Sequence, residues 1–324
     1  MFFSFPPMRF PLLLPVALAT PVFAVVNIDY VTVGNSGNAA DPATGSLYGA
    51  VAYEYKIARN ETTLSQYAEF LNATAATDPY GLYNTNMASN GNIAGIARSG
   101  TSGNYSYSVI GSGDRPVTYV YWFDAARFVN WMHNGQGNGS TETGVYNLNG
   151  ANSGIFIAQA GATVWLPTED EWYKAAYYDP TKGDGGGYWR HANQSDSMTS
   201  NNISVAGAAN YFDGNYGKSE NGWSSILNDV GAYGVDSQSY YGTNDQAGNV
   251  WEWNDAIIGP WRGLRGGSSL SFEPYLRSTL RTTPLDLPQS DYNIFGFRVA
   301  SVPEPGYLVL TAVASGAMLS RRKR

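Results

Sequence analysis

"NDQAGNVWEWNDA", residues 244–256, sets one carboxylate, Glu252, between Trp251 and Trp253, and a second, Asp245, seven positions earlier. Aromatic neighbours mark a half-buried segment, and a buried carboxylate without a partner is expensive. Glu252 therefore requires a positive partner, either a bound cation or an arginine. Which of the two it has depends on the rest of the chain.

A chain of 324 residues fits one large domain or two small ones. Hydrophobic residues make up 43%, enough for a sizeable core. Charged residues make up only 14%, against about a quarter in ordinary domains. Their place is taken by 37 Gly, 24 Tyr and 9 Trp, with many Asn, Ser and Thr. That mixture predicts a loop-rich domain with aromatic anchors and short strands, and argues against a helical bundle. The chain has no cysteine, which excludes disulfides, thiolate metal sites and cysteine nucleophiles.

Both ends read as addresses. Residues 1–24 carry Arg9, an apolar run and Val22-Phe23-Ala24, the pattern of a secretory signal peptide cut after Ala24. At the other end Pro303-Glu304-Pro305 precedes an apolar stretch from Gly306 to Leu319 and the basic cluster "RRKR". Fourteen residues are short for a stable membrane span. The basic cluster would stay on the cytoplasmic side while the preceding chain is exported. These three elements resemble the PEP-CTERM sorting signal, which implies removal of the tail, residues 302–324, by the membrane protease exosortase. The expected location is the cell envelope or the extracellular space, after transient inner-membrane attachment. Without Arg9, the four terminal basic residues and Glu304, the 19 basic and 26 acidic residues become 14 and 25, a net charge of −11. That balance argues against nucleic acid as a partner and is compatible with cation binding.

The body, residues 25–301, shows no fixed-period repeat and no linker, and reads as one domain. Residues 27–60 alternate apolar and polar around a Gly/Asn/Pro loop, a strand–loop–strand signal. Thr63 and Gln66 form a capping box for a helix carrying Leu64, Tyr67, Phe70 and Leu71 to about Ala73. Residues 74–114 have no clear period and read as an irregular loop layer. Pro116 leads a short strand, followed by a helix from Trp122 to His133 with Phe128, Trp131 and Met132 facing the core. Thr168 and Glu171 repeat the capping box, and Pro180 stops that helix.

Six segments, "YKIARNETTLSQYAEFLNA", "RPVTYVYWFDAARFVNWM", "VWLPTEDEWYKAAYYDP", "NDQAGNVWEWNDA", "RGLRGGS" and "NIFGFRVA", occur in order over residues 50–300. Together they resemble the formylglycine-generating enzyme, or sulfatase-modifying factor, family. The resemblance implies a loop-rich α+β domain related to C-type lectin folds, with short helices and small antiparallel sheets. Members include copper oxidases of sulfatase cysteines, iron-dependent sulfoxide synthases and ligand-binding or structural domains.

The family's oxidases hold copper through two cysteines, which fall here on Ser271 and Leu276. A serine hydroxyl is a poor ligand for Cu(I), and leucine is none, so no copper is expected. The iron branch needs a histidine-rich site, whereas His133 and His191 lie in unrelated segments and read as surface or helix-end histidines. "GQGNGS" at 135–140 lacks the Lys of a phosphate loop and reads as a turn. "DGNYGK" at 213–218 fails as an EF-hand loop, because Gly217 and Lys218 occupy positions wanting a ligand and a glycine. Glu169, Asp170 and Glu171 read as dipole partners of a first helical turn.

Two site types remain. The resemblance places Trp251, Ser268, Ser271 and Tyr275 along the family's active-site cleft, where hydroxyls and aromatics suit a polar ligand; the other reading is that Trp251 and Tyr275 are core residues, since a buried Trp needs only one hydrogen-bond partner. It also implies calcium held by Asp245, the carbonyls of Gly248 and Val250, and Glu252. Oxygen ligands in a tight turn suit that hard cation. A second calcium position maps onto Asn210, Tyr211, Asn221 and Trp223, with Asn221 standing where the family has an aspartate. The expected function is an exported, non-catalytic, calcium-stabilised domain that binds a polar ligand or works in the extracellular matrix, with a polysaccharide or protein as partner. The alternative is an enzyme of the same fold using a non-cysteine metal or hydroxyl chemistry.

Overall fold

The computed structural model describes residues 25–198, 200–214, 226–286 and 294–303. The signal segment, nearly all of the sorting tail, Asn221 and Trp223 lie outside these residues.

The alternating residues near the start become β1 (Tyr30–Val33) and β2 (Tyr55–Ala58), paired antiparallel with Tyr30 opposite Ala58. Helix α1 (Leu64–Thr74) starts at the expected capping box. Thr63 Oγ1 accepts from Gln66 N, and Gln66 Oε1 accepts from Thr63 N. Its apolar face, Leu64, Tyr67, Phe70 and Leu71, is buried.

The next stretch departs from the expected loop layer. It holds the single turn α2 (Asn86–Ser89) and a hairpin of β3 (Ile96–Ser99) and β4 (Ser106–Val109). Within that hairpin only Ile96 and Tyr107 are buried, so two polar strands give almost no period-two signal. Helix α3 (Trp122–His133) occupies the predicted span. Phe128 packs edge-on against Phe70 and Phe297, with ring centroids 5.4 and 5.3 Å away, while Met132 is only half-buried. Before it, Pro116 forms an isolated bridge with Thr63 rather than a strand.

After β5 (Val164–Trp165), α4 (Glu169–Tyr177) starts at the Thr168–Glu171 capping box. The chain leaves it through β6 (Tyr178–Asp179), paired with β7 (Gly187–Tyr188), so the helix ends before Pro180 because the strand takes over. The last third supplies β8 (Trp251–Ile258), β9 (Trp261–Arg265), β10 (Phe295–Phe297) and β11 (Ala300–Ser301).

Two sheets organise the core. The first has the order β1–β2–β11–β5, so both ends of the domain share it. The second, β10–β8–β9, puts β8 in the middle, antiparallel to β9 and parallel to β10. The parallel pair sets Gly296 opposite Glu252. A side chain there would sit 2.8 Å from Val250 Cγ2 and 2.9 Å from the Val117 carbonyl, so this strand position needs glycine. Among the described residues, no helix is long and apolar enough to cross a membrane.

Candidate functional site

Glu252 lies in the middle of the central strand β8 with no exposed surface. Its partner is Arg298, one residue past β10. The guanidinium donates twice, Nε to Oε2 and Nη2 to Oε1, each at 2.6 Å. Trp172 Nε1, from α4, adds a third bond to Oε2 at 2.8 Å. Arg298 is satisfied in turn: Nη1 reaches the carbonyls of Ala58 and Arg59, and Nη2 that of Asn244. The arginine thus joins β8, the end of β2 and the start of the 244–250 turn.

That turn is tightly built. Asp245 and Asn249 both adopt left-handed backbone, at φ 59°, and Gly248 lies at φ 91°. A Cβ on Gly248 would fall 2.1 Å from the Asn210 carbonyl oxygen, which no other residue tolerates. Asn249 N donates to that same oxygen, while Gly248 N bonds Gly266 O at 2.9 Å and Ser269 N bonds Asn249 O at 3.0 Å. The turn is therefore stitched to residues 266–269 and to Asn210.

A third carboxylate, Glu61, stands behind the turn, almost fully buried. It accepts from Asn249 Nδ2 and Val250 N. Burial, followed by the charges of Asp245 and Glu252, pushes its carboxyl well above the usual range. Burial likewise pushes Asp245 up to about 6, against the pull of Gly231 N and Arg298. Three acids thus share one guanidinium.

For calcium the fit is mixed at this turn. Glu252 Oε2 already accepts two bonds, so only one lone pair of Oε1 remains for an ion. Asp245 keeps one carboxylate oxygen beyond its bond to Gly231 N. At the second position Asn210 Oδ1 is a buried acceptor with no donor among the described residues, and an orphaned oxygen suits a cation. Among the described residues, no group of three or more His, Asp or Glu side chains is placed to hold a metal by itself. Backbone carbonyls would have to complete either site.

Of the four candidate ligand residues, Trp251, Ser268 and Ser271 are buried, at 3% exposure or less, and Tyr275 is half-buried; they form two pairs. The Trp251 and Tyr275 rings meet edge-on at 6.0 Å. Ser268 Oγ and Ser271 Oγ are 3.1 Å apart, and Ser271 Oγ also accepts from Ser268 N. Trp251 Nε1 and the neighbouring Ser269 Oγ are buried without a partner among the described residues. Leu276 is fully buried in an apolar group with Trp172, Tyr173 and Tyr177.

His133 sits at the end of α3 as expected, against Thr163 Oγ1 at 2.8 Å. His191 corrects the surface reading. It is buried, 3.0 Å from Glu273 through Nε2, because Glu273 supplies the partner that burial demands. Burial lowers its pKa. The three acids of α4 also do more than face a dipole: Glu169 pairs with Arg265 at 2.5 Å, and Asp170 accepts from Gly49 N.

Sequence reading missed Arg298, Trp172 and Glu61. A lone arginine in the apolar run "IFGFRVA" signals a buried charge awaiting a partner. Glu61, two positions before the Thr63 helix cap, carries no such signal.

A family profile described as "Sulfatase-modifying factor enzyme 1-like domain" matches residues 34–302. Among solved structures, Treponema denticola variable protein 1 superposes with a TM-score of 0.50 at 18% identity, over 87% of this chain and 98% of that one. CarF gives 0.47 at 22% identity, over 86% and 100%. PvdO from Pseudomonas aeruginosa gives 0.44 at 16%, over 85% and 92%. No curated protein matches. The mixed α+β architecture of few short helices and small, mainly antiparallel sheets is the fold shared with the first of these structures.

Proposed function

The chain belongs to the family of sulfatase-modifying factor enzyme 1-like domains, and from that premise we propose an exported, non-catalytic member that binds a polar ligand. The observation that carries this reading is the state of the two positions where the family's oxidases place copper thiolates. Leu276 is enclosed in apolar packing, and the Ser271 hydroxyl is held by Ser268. Neither atom set holds Cu(I). A serine nucleophile would need an adjacent base, and the recorded partners of Ser268 and Ser271 are each other and backbone N–H groups.

The test is a sulfatase-type cysteine peptide incubated with the mature domain, with and without copper, and followed by mass spectrometry. The expected outcome is no formylglycine in either case. Copper-dependent loss of the substrate thiol at enzyme-like turnover overturns the reading.

Calcium as a stabilising ion is part of the proposal. At Asp245, Gly248, Val250 and Glu252 the support is the excess of buried carboxylates over guanidinium. At Asn210, with Tyr211, Asn221 and Trp223, it is the orphaned Oδ1. An ion bound only by the folded state adds about 2.7 kcal/mol when its free concentration is a hundred times its Kd. Chelation should therefore lower the melting temperature, and an unchanged melting curve removes calcium from this account.

Export and tail removal by exosortase complete the proposal, supported by the sequence of both ends. Intact-mass measurement of surface-released protein should show an end near Pro305, and retention of Arg324 would contradict it.

A further inference from the structure

His191 has no exposed surface, yet its ring is poorly matched by its surroundings. Nε2 stands 3.0 Å from Glu273 Oε1, close enough for an ion pair though out of line for a hydrogen bond. Nδ1 has no partner among the described residues. The contact with Glu273 favours the neutral ring's proton on Nε2, which leaves Nδ1 as a bare acceptor. A second proton would turn Nδ1 into a buried donor with nothing to receive it, a costly state.

The charges facing the ring oppose one another. Glu273 and Asp196 favour a proton, while Arg190 and Arg277 disfavour it. Both carboxylates are already engaged. Arg277 donates to the two Glu273 oxygens, at 2.8 and 2.5 Å, and Lys182 Nζ reaches Asp196 at 2.8 Å. Burial is the largest influence, and it holds the imidazole below its ordinary pKa.

The ring also sits at a junction. It belongs to the 190–196 turn, closed by His191 N to Ser195 O at 2.9 Å and Arg190 N to Asp196 Oδ1 at 3.1 Å. Against this turn lies an arch, residues 271–278. Its recorded backbone bonds to the rest of the fold fall at its two ends, Phe212 N to Ser271 O and Ser278 N to Arg190 O, each at 2.8 Å. Between those ends the recorded polar link to the rest of the fold is His191 with Glu273.

We infer that His191 is a proton-operated latch: neutral, it holds the 271–278 arch against the 190–196 turn, and on gaining a proton in mild acid it releases the arch. The charged ring is hydrated only with the two segments apart, because the closed pocket offers Nδ1 no acceptor. A group that holds its proton less tightly in the closed form favours opening as pH falls below its open-state pKa, about 6.5 for a free imidazole. The effect is absent well above that value and grows about tenfold per pH unit below it, until the closed form itself titrates. Asp124 and Asp255 act in the opposite sense, since burial raises their pKa and acid strengthens the fold through them. Opening confined to the arch therefore cannot come from those two groups. The latch does not depend on what the domain binds.

The experiment follows hydrogen–deuterium exchange of the mature protein by mass spectrometry at about pH 7.5 and about pH 5, with rates corrected for the intrinsic effect of pH. Residues 271–278 should lose protection at the lower pH by at least about threefold, with a ceiling near thirtyfold set by the distance from 6.5. Helix α1 should not follow. His191→Gln keeps a donor for Glu273 but cannot titrate, so its arch should be indifferent to pH. The chain has two histidines, so the imidazole carbon-bound protons report the His191 titration by NMR in the unsubstituted protein, whether or not the variant folds. A His191 pKa at or above about 6.5 overturns the latch. So does unchanged protection of the arch, or an equal loss in His191→Gln.

Discussion

At the scale of single residues, Arg298 and Glu252 dominate. A buried ion pair is weak evidence for stability, but removing one partner strands the other and costs about 3–5 kcal/mol. Arg298→Met should therefore destabilise the domain by at least that amount in urea unfolding. The double variant Glu252→Met with Arg298→Met should not recover the loss. The carbonyls of Ala58, Arg59 and Asn244 and the Trp172 indole would then all lack the partner they have now. Recovery to near the parent midpoint would show that these bonds contribute little.

Among the elements, α1 and α4 begin with the same capping box and use it differently. The Gln66 side chain, at the third position of α1, bonds Thr63 N and, at the surface, Asn27 O. Glu171 at the same position of α4 accepts from Thr168 N, Tyr53 OH and Trp165 Nε1, tying the helix to the first sheet. Thr168→Ala should cost about 1 kcal/mol, the usual value of a cap. Glu171→Ala should cost more than Gln66→Ala, by about 0.5–1.5 kcal/mol for each of the two part-buried bonds from Tyr53 and Trp165 that it loses. Equal midpoints for the two variants in denaturant would contradict this.

For the molecule as a whole, the low charge content leaves carboxyls inside the core, and these set its response to pH. Burial pushes both Asp124 and Asp255 up to about 7, from 3.8, despite bonds to Tyr121 N and Arg262. The folded state therefore holds these protons more tightly than the unfolded chain. Their effect is that stability falls as pH rises from about 4 to about 7, then levels off above 7. Asp124→Asn keeps an oxygen to accept from Tyr121 N but cannot titrate, so it should reduce that slope between about pH 4 and 7, leaving the share of Asp255. A slope unchanged in this variant would mean that Asp124 is ionised throughout.

Much of this architecture is legible from local pattern. The capping boxes and the period of Leu64, Tyr67, Phe70 and Leu71 fix two helix starts, because a cap is written within four residues and an amphipathic face within about two turns. Composition alone points to a loop-rich domain with aromatic anchors. The "NVWEW" stretch by itself determines that Glu252 must be paired, since burial beside two tryptophans leaves no alternative. It does not determine with what. Arg298 lies 46 positions away, and only the parallel pairing of β8 with β10 brings it within 2.6 Å. The same holds for Glu61 behind the turn: its bonds to Asn249 and Val250 join residues 188 and 189 positions apart, a separation that no local pattern records.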